Sequence, residues 1–561
     1  MSLPTAAVVL LIAVSALVGV NTVLTWWRRR KLLVRIRGEW GTPRLKTRDV
    51  SAIASYHHAL TSTSSDNSLD QRTWTDLDLD AVFAVLDRTE SSIGEQRLYH
   101  RLRSTSSVTT LSAFEALVSR LSQDRKLREH CQVELAALAN ASGYQVWSLT
   151  QPGAIEVRPW HRLFPVLTTA VAGLIVLVFV WPQLLAPLIS VGVLGLAIRL
   201  ANARRVWRVV ETFRFIGPLI AAAAMLRRVH DQSHESLTKA LNSDLPQLTR
   251  LRILSGWLAR DSVPLDPLTA IVVETVNSLF LLDANALFFG AGELRRRGPA
   301  LLRTLAAVGE IDGAIAVASF RAGVSAWTRP ILRPPGSMVT IEDLGHPLLL
   351  EGVRNSIDLA PPHGVLITGS NMSGKSTFLR SVGLAAVLGQ TVNTCVAGRY
   401  EAPQLIVRSC IGRGDDLLLG KSYYLDEVQA VIEVIRASQS GQAHLFLFDE
   451  LFRGTNAIER VAAAEATLRQ LATTAHVVIA ATHDIEVVVL LEGIYASFHF
   501  VDRMEADGLV FEYRLATGPS TTRNAIALLE LNGAPAALVR HARERAAHLS
   551  AAPSRVLSGQ P

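Results

Sequence analysis

Gly364-Val-Leu-Ile-Thr-Gly-Ser-Asn-Met-Ser-Gly-Lys-Ser-Thr377 is the stretch around which the chain is organised. A short apolar run ends in Gly369, and Gly374-Lys375-Ser376 follows at the G-x-x-x-x-G-K-[ST] spacing of a phosphate-binding loop. The residue types suit that chemistry. Gly369 and Gly374 let the backbone curl so that its N–H groups face an anion. The intervening Ser370, Asn371, Met372 and Ser373, with Thr377 beyond, complete the expected cradle. Lys375 adds positive charge, Ser376 offers a hydroxyl to Mg²⁺, and a helix from Lys375 to about Leu388 points its positive end at the phosphates. ATP and Mg²⁺ are the expected ligands.

Leu445-Phe-Leu-Phe-Asp-Glu450 reads as an apolar strand ending in two carboxylates. Asp449 is assigned to the metal and Glu450 to the attacking water. Ala480-Ala-Thr-His483 follows another apolar strand, which places His483 as a γ-phosphate sensor. Gln390, just after the phosphate-loop helix, is a candidate for metal or water contact, or else an ordinary polar helix end. Gly414-Asp-Asp-Leu-Leu-Leu-Gly-Lys-Ser422 precedes a helix starting at Tyr423, a second helix N-terminus able to bind phosphate. Ser422 has no evident role beside its own loop and fits the nucleotide of a second subunit; a plain N-cap is the alternative.

At 561 residues the chain is too long for one core and implies two to four domains. Its 56 Lys+Arg against 49 Asp+Glu give +7, compatible with nucleic acid or anionic lipid. The three cysteines, Cys131, Cys395 and Cys410, have neither C-x-x-C nor metal-ligand spacing, so a reducing compartment without structural zinc is expected.

Mean hydropathy is positive, and the excess lies in a few runs. Thr5 to Trp26 is charge-free and of membrane-spanning length, and it ends in Trp26-Trp27 and Arg28-Arg29-Arg30-Lys31. A cleaved signal peptide carries its basic residues before the apolar run instead. Leu163 to Ala197 is a second apolar block, interrupted by Trp181-Pro182-Gln183. Arg158 and Arg162 flank it on one side, Arg199, Arg204 and Arg205 on the other, which reads as a hairpin leaving and re-entering the cytoplasm. The expectation is three spans in an inner or plasma membrane, with the N-terminus outside and the nucleotide domain in the cytoplasm. Leu268 to Leu294 contains Glu274, Asp283 and Glu293 and reads as a packed soluble helix pair.

Thr61 to Asp70 is a Ser/Thr/Asn/Asp-rich linker. From Leu79 the apolar spacing is helical, with Asp76 or Asp78 as the cap. Residues 110–140 and 203–330 read as long helices. From about Met338 short strands alternate with helices, with Pro334-Pro335-Gly336 as the hinge. Strands are expected at Gln404–Ile411, His444–Phe448 and His476–Ala481, a hairpin at Phe498–Val501 and Leu509–Leu515 around Asp507-Gly508, and a last helix at Ala536–Ser550.

The fold class is therefore multidomain, a long-helix (all-α) core and lever with three transmembrane helices plus a C-terminal α/β phosphate-loop ATPase domain. Its expected parts are an anchor (1–27), a linker and the start of the helical core (28–162), a membrane hairpin (163–201), a helical lever (202–335), the ATPase domain (336–550) and a flexible tail (551–561).

Taken together, the motifs resemble the MutS family of mismatch-repair ATPases, related to ABC-type ATPases. Thr368-Gly-Ser-Asn-Met-Ser-Gly-Lys-Ser-Thr377 is similar to the family's T-G-P-N-M-G-G-K-S-T, and Asp449-Glu-Leu-Phe-Arg-Gly-Thr455 to D-E-I-G-R-G-T. Ala481-Thr-His483 is similar to A-T-H, and Asp415-Asp-Leu-Leu-Leu-Gly-Lys-Ser422 to D-D-L-x-x-G-x-S. Leu79–Arg88 and Ile311-Asp312, the latter before Gly345-His-Pro347, resemble the helical core and lever. The departures are Ser370 and Ser373 in place of Pro and Gly, and the absence of a mismatch-reading domain. The Phe-x-Glu pair that wedges a mispair occurs only as Phe448-Asp-Glu450, inside a strand. The membrane hairpin stands roughly where the family inserts its DNA clamp. The resemblance implies an ATPase of ABC-like type that hydrolyses ATP as a homodimer through its ATPase domains, with double-stranded DNA as a partner, and the apolar runs add membrane lipid. A membrane-remodelling or transport-coupled ATPase that no longer binds DNA is the alternative.

Overall fold

The computed structural model describes residues 3–61, 68–229, 235–258, 275–349, 351–361, 364–370, 372–412, 423–472, 476–505, 508–520, 526, 529–530 and 533–551. The chain divides into two compact units, one of residues 1–66 and 84–323, the other of 67–83 and 324–561.

The first unit is helical. In chain order it holds α1 (Leu3–Gly38) and α2 (Val50–Thr61) and, after a segment that belongs elsewhere, α5 (Ser92–Arg103), α6 (Val108–Gln123) and α7 (Arg125–Ala136). The intervening α3 (Gln71–Asp76) and α4 (Leu79–Leu86) lead between the units. Then come α8 (Leu163–Val178), α9 (Leu185–Arg214), α10 (Ile216–Leu226), α11 (Glu235–Lys239), α12 (Thr249–Leu258) and α13 (Leu282–Gly323). Ser91, Ser107 and Asp124 accept from backbone N–H groups at the starts of α5, α6 and α7, satisfying donors the helices leave open.

The 42 residues of α13 make a rod of about 63 Å. From Ala307 to Arg321 every residue is buried. Gly309 lets α5 approach closely, since a Cβ there would lie 2.6 Å from Cβ of Arg97. One turn on, Asp312 accepts from the N–H groups of Glu90 (2.9 Å) and Ser91 (2.8 Å) and from the Ser91 hydroxyl (2.6 Å), tying the rod to the start of α5.

The second unit is mixed α/β. A four-stranded sheet has the order β1-β5-β2-β3, from β1 (Ile331–Arg333), β2 (Val339–Leu344), β3 (Asn355–Leu359) and β5 (Arg399–Pro403). A six-stranded sheet has the order β10-β9-β4-β8-β7-β6. Its members are β4 (Gly364–Thr368), β6 (Ile406–Ile411), β7 (His444–Asp449), β8 (Val477–Ala481), β9 (Tyr495–Glu505) and β10 (Gly508–Thr517). All pairs in it are parallel except β9 with β10. Strands β4 and β8 are buried at every residue, as apolar strands covered on both faces must be. The accompanying helices are α14 (Lys375–Val392), α15 (Tyr423–Ser438), α16 (Ala457–Ala472), α17 (Ile485–Leu490) and α18 (Ala536–Ala551).

Several expectations are corrected. The two units part at Gly323/Val324, upstream of the Pro334-Pro335-Gly336 hinge, because β1 already pairs with β5. Asp76 does not cap α4, since its carboxylate accepts from the Ser409 hydroxyl (2.7 Å) and the Ile411 N–H (3.0 Å). That bond fastens α3 to β6 within the second unit. Within the expected helix pair of Leu268 to Leu294, residues 275–280 are helical and stop at Leu281, which lies in the left-handed region at φ 48°, before α13 starts at Leu282; residues 259–274 lie outside the described residues. The β9–β10 hairpin is longer than expected, and Asp507 of its turn also lies outside.

Three spans are not what the described helices present. Two described stretches are long and apolar enough to cross a membrane, Pro159–Val178 and Val209–Val229, and Pro182–Ala197 is a shorter apolar helix. Val209–Val229 is more than half buried in the helical unit, which marks it as core packing. α1 runs unbroken through the expected anchor boundary at residue 27 to Gly38, where Arg35 pairs with Glu90 (2.7 Å) and Arg37 with Glu129 (2.8 Å).

Candidate nucleotide site

The order of the second sheet puts β4 between β8 and β9, all three parallel, so their carboxyl ends open on one edge. Register aligns Ile367 with Ala481 and Ala481 with Asp449. The residues that follow each strand, Thr368-Gly369, Glu450 and Thr482-His483, therefore emerge side by side. Ligands of open α/β sheets sit at such an edge.

The phosphate loop leaves β4 with a turn that requires glycine. Gly369 has φ +144°, and a Cβ there would lie 2.9 Å from Oγ of Ser373. Gly374, at φ +109°, opens α14. Lys375 lies folded over the loop, its ammonium donating to the carbonyls of Gly369 (2.8 Å) and Ser370 (2.9 Å). Burial lowers its pKa, against the opposite pull of Glu450, Asp449 and Asp502. The Ser370 hydroxyl donates to Asp502 at 2.6 Å, so the residue that replaces the family's proline has found a partner at the end of β9. The Ser373 hydroxyl is buried and has no hydrogen-bond partner among the described residues. Asn371 lies outside them.

Asp449 ends β7, and burial raises its carboxyl above the ordinary aspartate value, against the pull of the nearby Ser376 hydroxyl and Lys375. The Glu450 carboxylate faces Nδ1 of His483 at 3.2 Å and Nε of Arg453 at 3.4 Å. The His483 contact holds Glu450 below its ordinary value, and Glu450 raises His483 in return. Met372 (φ 71°), Glu450 (φ 53°) and Phe452 (φ 60°) all occupy the left-handed region. Each costs roughly 1–2 kcal/mol and persists only where surrounding structure holds it. The N–H of Phe452 is held by the carboxylate of Glu427 from α15. Arg460 clamps Asp484, next to His483, through two 2.8 Å bonds.

Lys375, Ser376, Thr377 and Glu450 line a cleft of ≈ 560 Å³ together with His346, Phe500 and Tyr513 among others. Its residues fit a Mg-nucleotide. A primary ammonium rests on loop carbonyls, the Ser376 hydroxyl stands near the half-buried Asp449 carboxylate, and the Ser373 hydroxyl, without a partner among the described residues, lies in the loop.

Gln390 does not belong to this site. Its amide donates to the carbonyls of Ala386 and Leu405 (3.0 Å each) and accepts from the N–H of Leu405 (2.7 Å). It stands about 22 Å along α14 from Lys375. Ser422 and the stretch from Gly414 lie outside the described residues. Sequence reading missed Asp502, Glu427 and the Arg460–Asp484 clamp, because none carries a local motif.

Strand, glycine loop and helix, with two acids at the next strand end but one, define a phosphate-loop α/β domain. Residues 365–550 match the family described as MutS domain V. The chain is similar to the DNA mismatch repair protein MutS of Thermus caldophilus and of Thermus aquaticus, at 32% identity over 255 residues in each case. That covers 44% of this chain and 30% of the relative. The corresponding protein of Synechococcus sp. is 31% identical over 258 residues, 43% of this chain and 28% of the relative. The likeness to MutS proteins is carried by this domain, and the chain spans under a third of the length of the curated relatives it matches.

Proposed function

We propose that the protein is a membrane-anchored, Mg-dependent ATPase of ABC-like type that works as a homodimer in the cytoplasm and couples ATP hydrolysis to duplex DNA. The observation that carries the reading is that Lys375, Ser376 and Glu450 line one cleft, with Asp449 near Ser376 and His483 paired with Glu450 behind them. In this reading the loop N–H groups and Lys375 bind the β- and γ-phosphates, and Ser376 with Asp449 would hold the metal. A bound Mg²⁺ supplies charge neutralisation on the phosphate oxygens. Glu450 orients and deprotonates the attacking water, and His483 keeps that carboxylate ionised and aimed. Ser422 of a second subunit would complete the site across the dimer.

DNA coupling is supported by the similarity to MutS proteins and by the basic balance of the chain. A second reading, a membrane-remodelling or transport-coupled ATPase without DNA, is favoured by the exposed apolar surface of α8 and α9. Turnover of the detergent-solubilised chain, with and without duplex DNA across a salt series, separates them. Stimulation that fades as salt rises is expected from phosphate-backbone contacts. Turnover indifferent to DNA would leave the ATPase and overturn its coupling to DNA.

A further inference from the structure

We infer that the α8–α9 hairpin is a wedge that enters only the near leaflet of a bilayer, the partner being an anionic lipid surface. This rests on the membrane reading above and changes its topology. Three observations carry it.

The first is length. From Arg162, just before α8, to Val178 is about 24 Å of helix, and from Leu185 to Arg199 about 21 Å, against a hydrocarbon core of about 30 Å. The second is where the helical unit lets go of the hairpin. The Thr168 hydroxyl donates to the carbonyl of Phe280 (2.7 Å) and accepts from the Asn285 amide (2.7 Å). On the other arm a Cβ at Gly195 would lie 2.6 Å from the carbonyl oxygen of Ser278, so α9 is packed backbone to backbone there. Asp283, bonded to the Asn277 amide at 2.7 Å, lies in the same junction. A carboxylate at this level keeps the junction out of hydrocarbon. Between Val171 and Gly195 no residue is buried, and none is charged. Only about 10 to 15 Å of helix therefore projects beyond the packed body, about half a bilayer.

The third is the tip. A turn delivered to water on the far side should be polar, yet Phe179-Val-Trp-Pro-Gln-Leu184 has one polar side chain. Phe179 is 87% exposed and Trp181 51%. Arg158 and Arg162 before the hairpin and Arg199, Arg204 and Arg205 after it put positive charge at both entry points, where anionic headgroups lie.

The test uses the full chain with Gln183→Cys, since Cys131, Cys395 and Cys410 are all buried. The protein is placed in phosphatidylethanolamine/phosphatidylglycerol vesicles with the ATPase side outward, and Ala154→Cys in the preceding loop reports that orientation. A membrane-impermeant maleimide, added outside or trapped in the lumen, should label residue 183 at least ~10-fold more slowly than residue 154 labelled from outside, because the thiolate forms only in water. A fluorophore introduced at 183 by a permeant maleimide should be quenched most by nitroxides near the lipid chain ends. Rapid labelling from the lumen would overturn the wedge while keeping the membrane reading. Failure of the chain to float with the vesicles, or rapid labelling of 183 from outside, would overturn both.

Discussion

The pair Glu450–His483 sets the pH behaviour of the site. Glu450 lies below the ordinary glutamate value chiefly because His483 bonds to it, and His483 lies above its ordinary 6.5 for the same reason. The ion pair therefore exists between those two displaced values. It is lost as pH falls through the lowered Glu450 pKa or rises through the raised His483 pKa. In a pH–turnover profile, His483→Ala should move the acid limb upward, toward the ordinary carboxylate range; an unmoved limb would remove His483 from any role in tuning the base. Glu450→Gln should still bind nucleotide but lose at least about 100-fold in turnover, read by comparing nucleotide binding with phosphate release. Lys375→Ala should weaken binding itself, since its ammonium is the positive charge on the loop. The residues with motif spacing, Lys375, Ser376, Asp449 and Glu450, were legible in the sequence because their chemistry is local. Asp502 was not: it meets Ser370 from 132 residues away, and nothing in Phe498–Val501 announces a carboxylate facing the loop. For Gln390 the sequence left two readings open, because a glutamine near a helix end looks the same whether it binds backbone or a ligand, and it binds backbone.

Among elements, the contact of α13 with α5 concentrates the most polar burial. Asp312 is fully enclosed, and burial pushes its carboxyl up to about 7 while the Ser91 and Glu90 donors pull it down. The folded chain thus holds this proton more tightly than the unfolded chain. Its stabilisation is full below about 4 and is lost as pH rises through about 7. Thermal stability of the helical unit should accordingly fall as pH rises from about 4 to about 7, and Asp312→Asn should flatten that dependence. Asp312→Ala leaves two buried N–H groups unpaired and should cost about 2–4 kcal/mol. The parallel sheet was readable from its apolar runs, with β7 and β8 found within a residue or two. The full length of α13 was not, because no local pattern in its 42 residues marks how far packing carries a helix.

At the scale of the whole molecule, the chain enters the α/β unit twice, for residues 67–83 and again from 324. Thr73 and Asp76 of the first visit satisfy Ser409 and Ile411 of β6, and Asp70 pairs with Arg408. Asp76→Ala should therefore destabilise the α/β unit by about 1–3 kcal/mol, although it lies far upstream of the phosphate loop. Limited proteolysis with and without nucleotide is the check: cleavage should rise within 324–550 and not within 84–323. Sequence reading gave 67–83 to the helical part because its own pattern is helical, and no local feature tells a helix which body it joins.

That first visit has a consequence for biosynthesis. Trp74, Leu77 and Leu79 are fully enclosed in the finished protein, yet the strand that receives this segment ends at Ile411, more than three hundred residues later. At about 5–20 residues per second, the ribosome needs roughly 15 to 65 seconds to deliver it. For that interval the segment is an orphan on a nascent chain, its neighbours on both sides already free to fold without it. A slow-release holdase acting on residues 67–83 would serve this chain better than one acting on the phosphate loop, which leaves the ribosome shortly before its own partners.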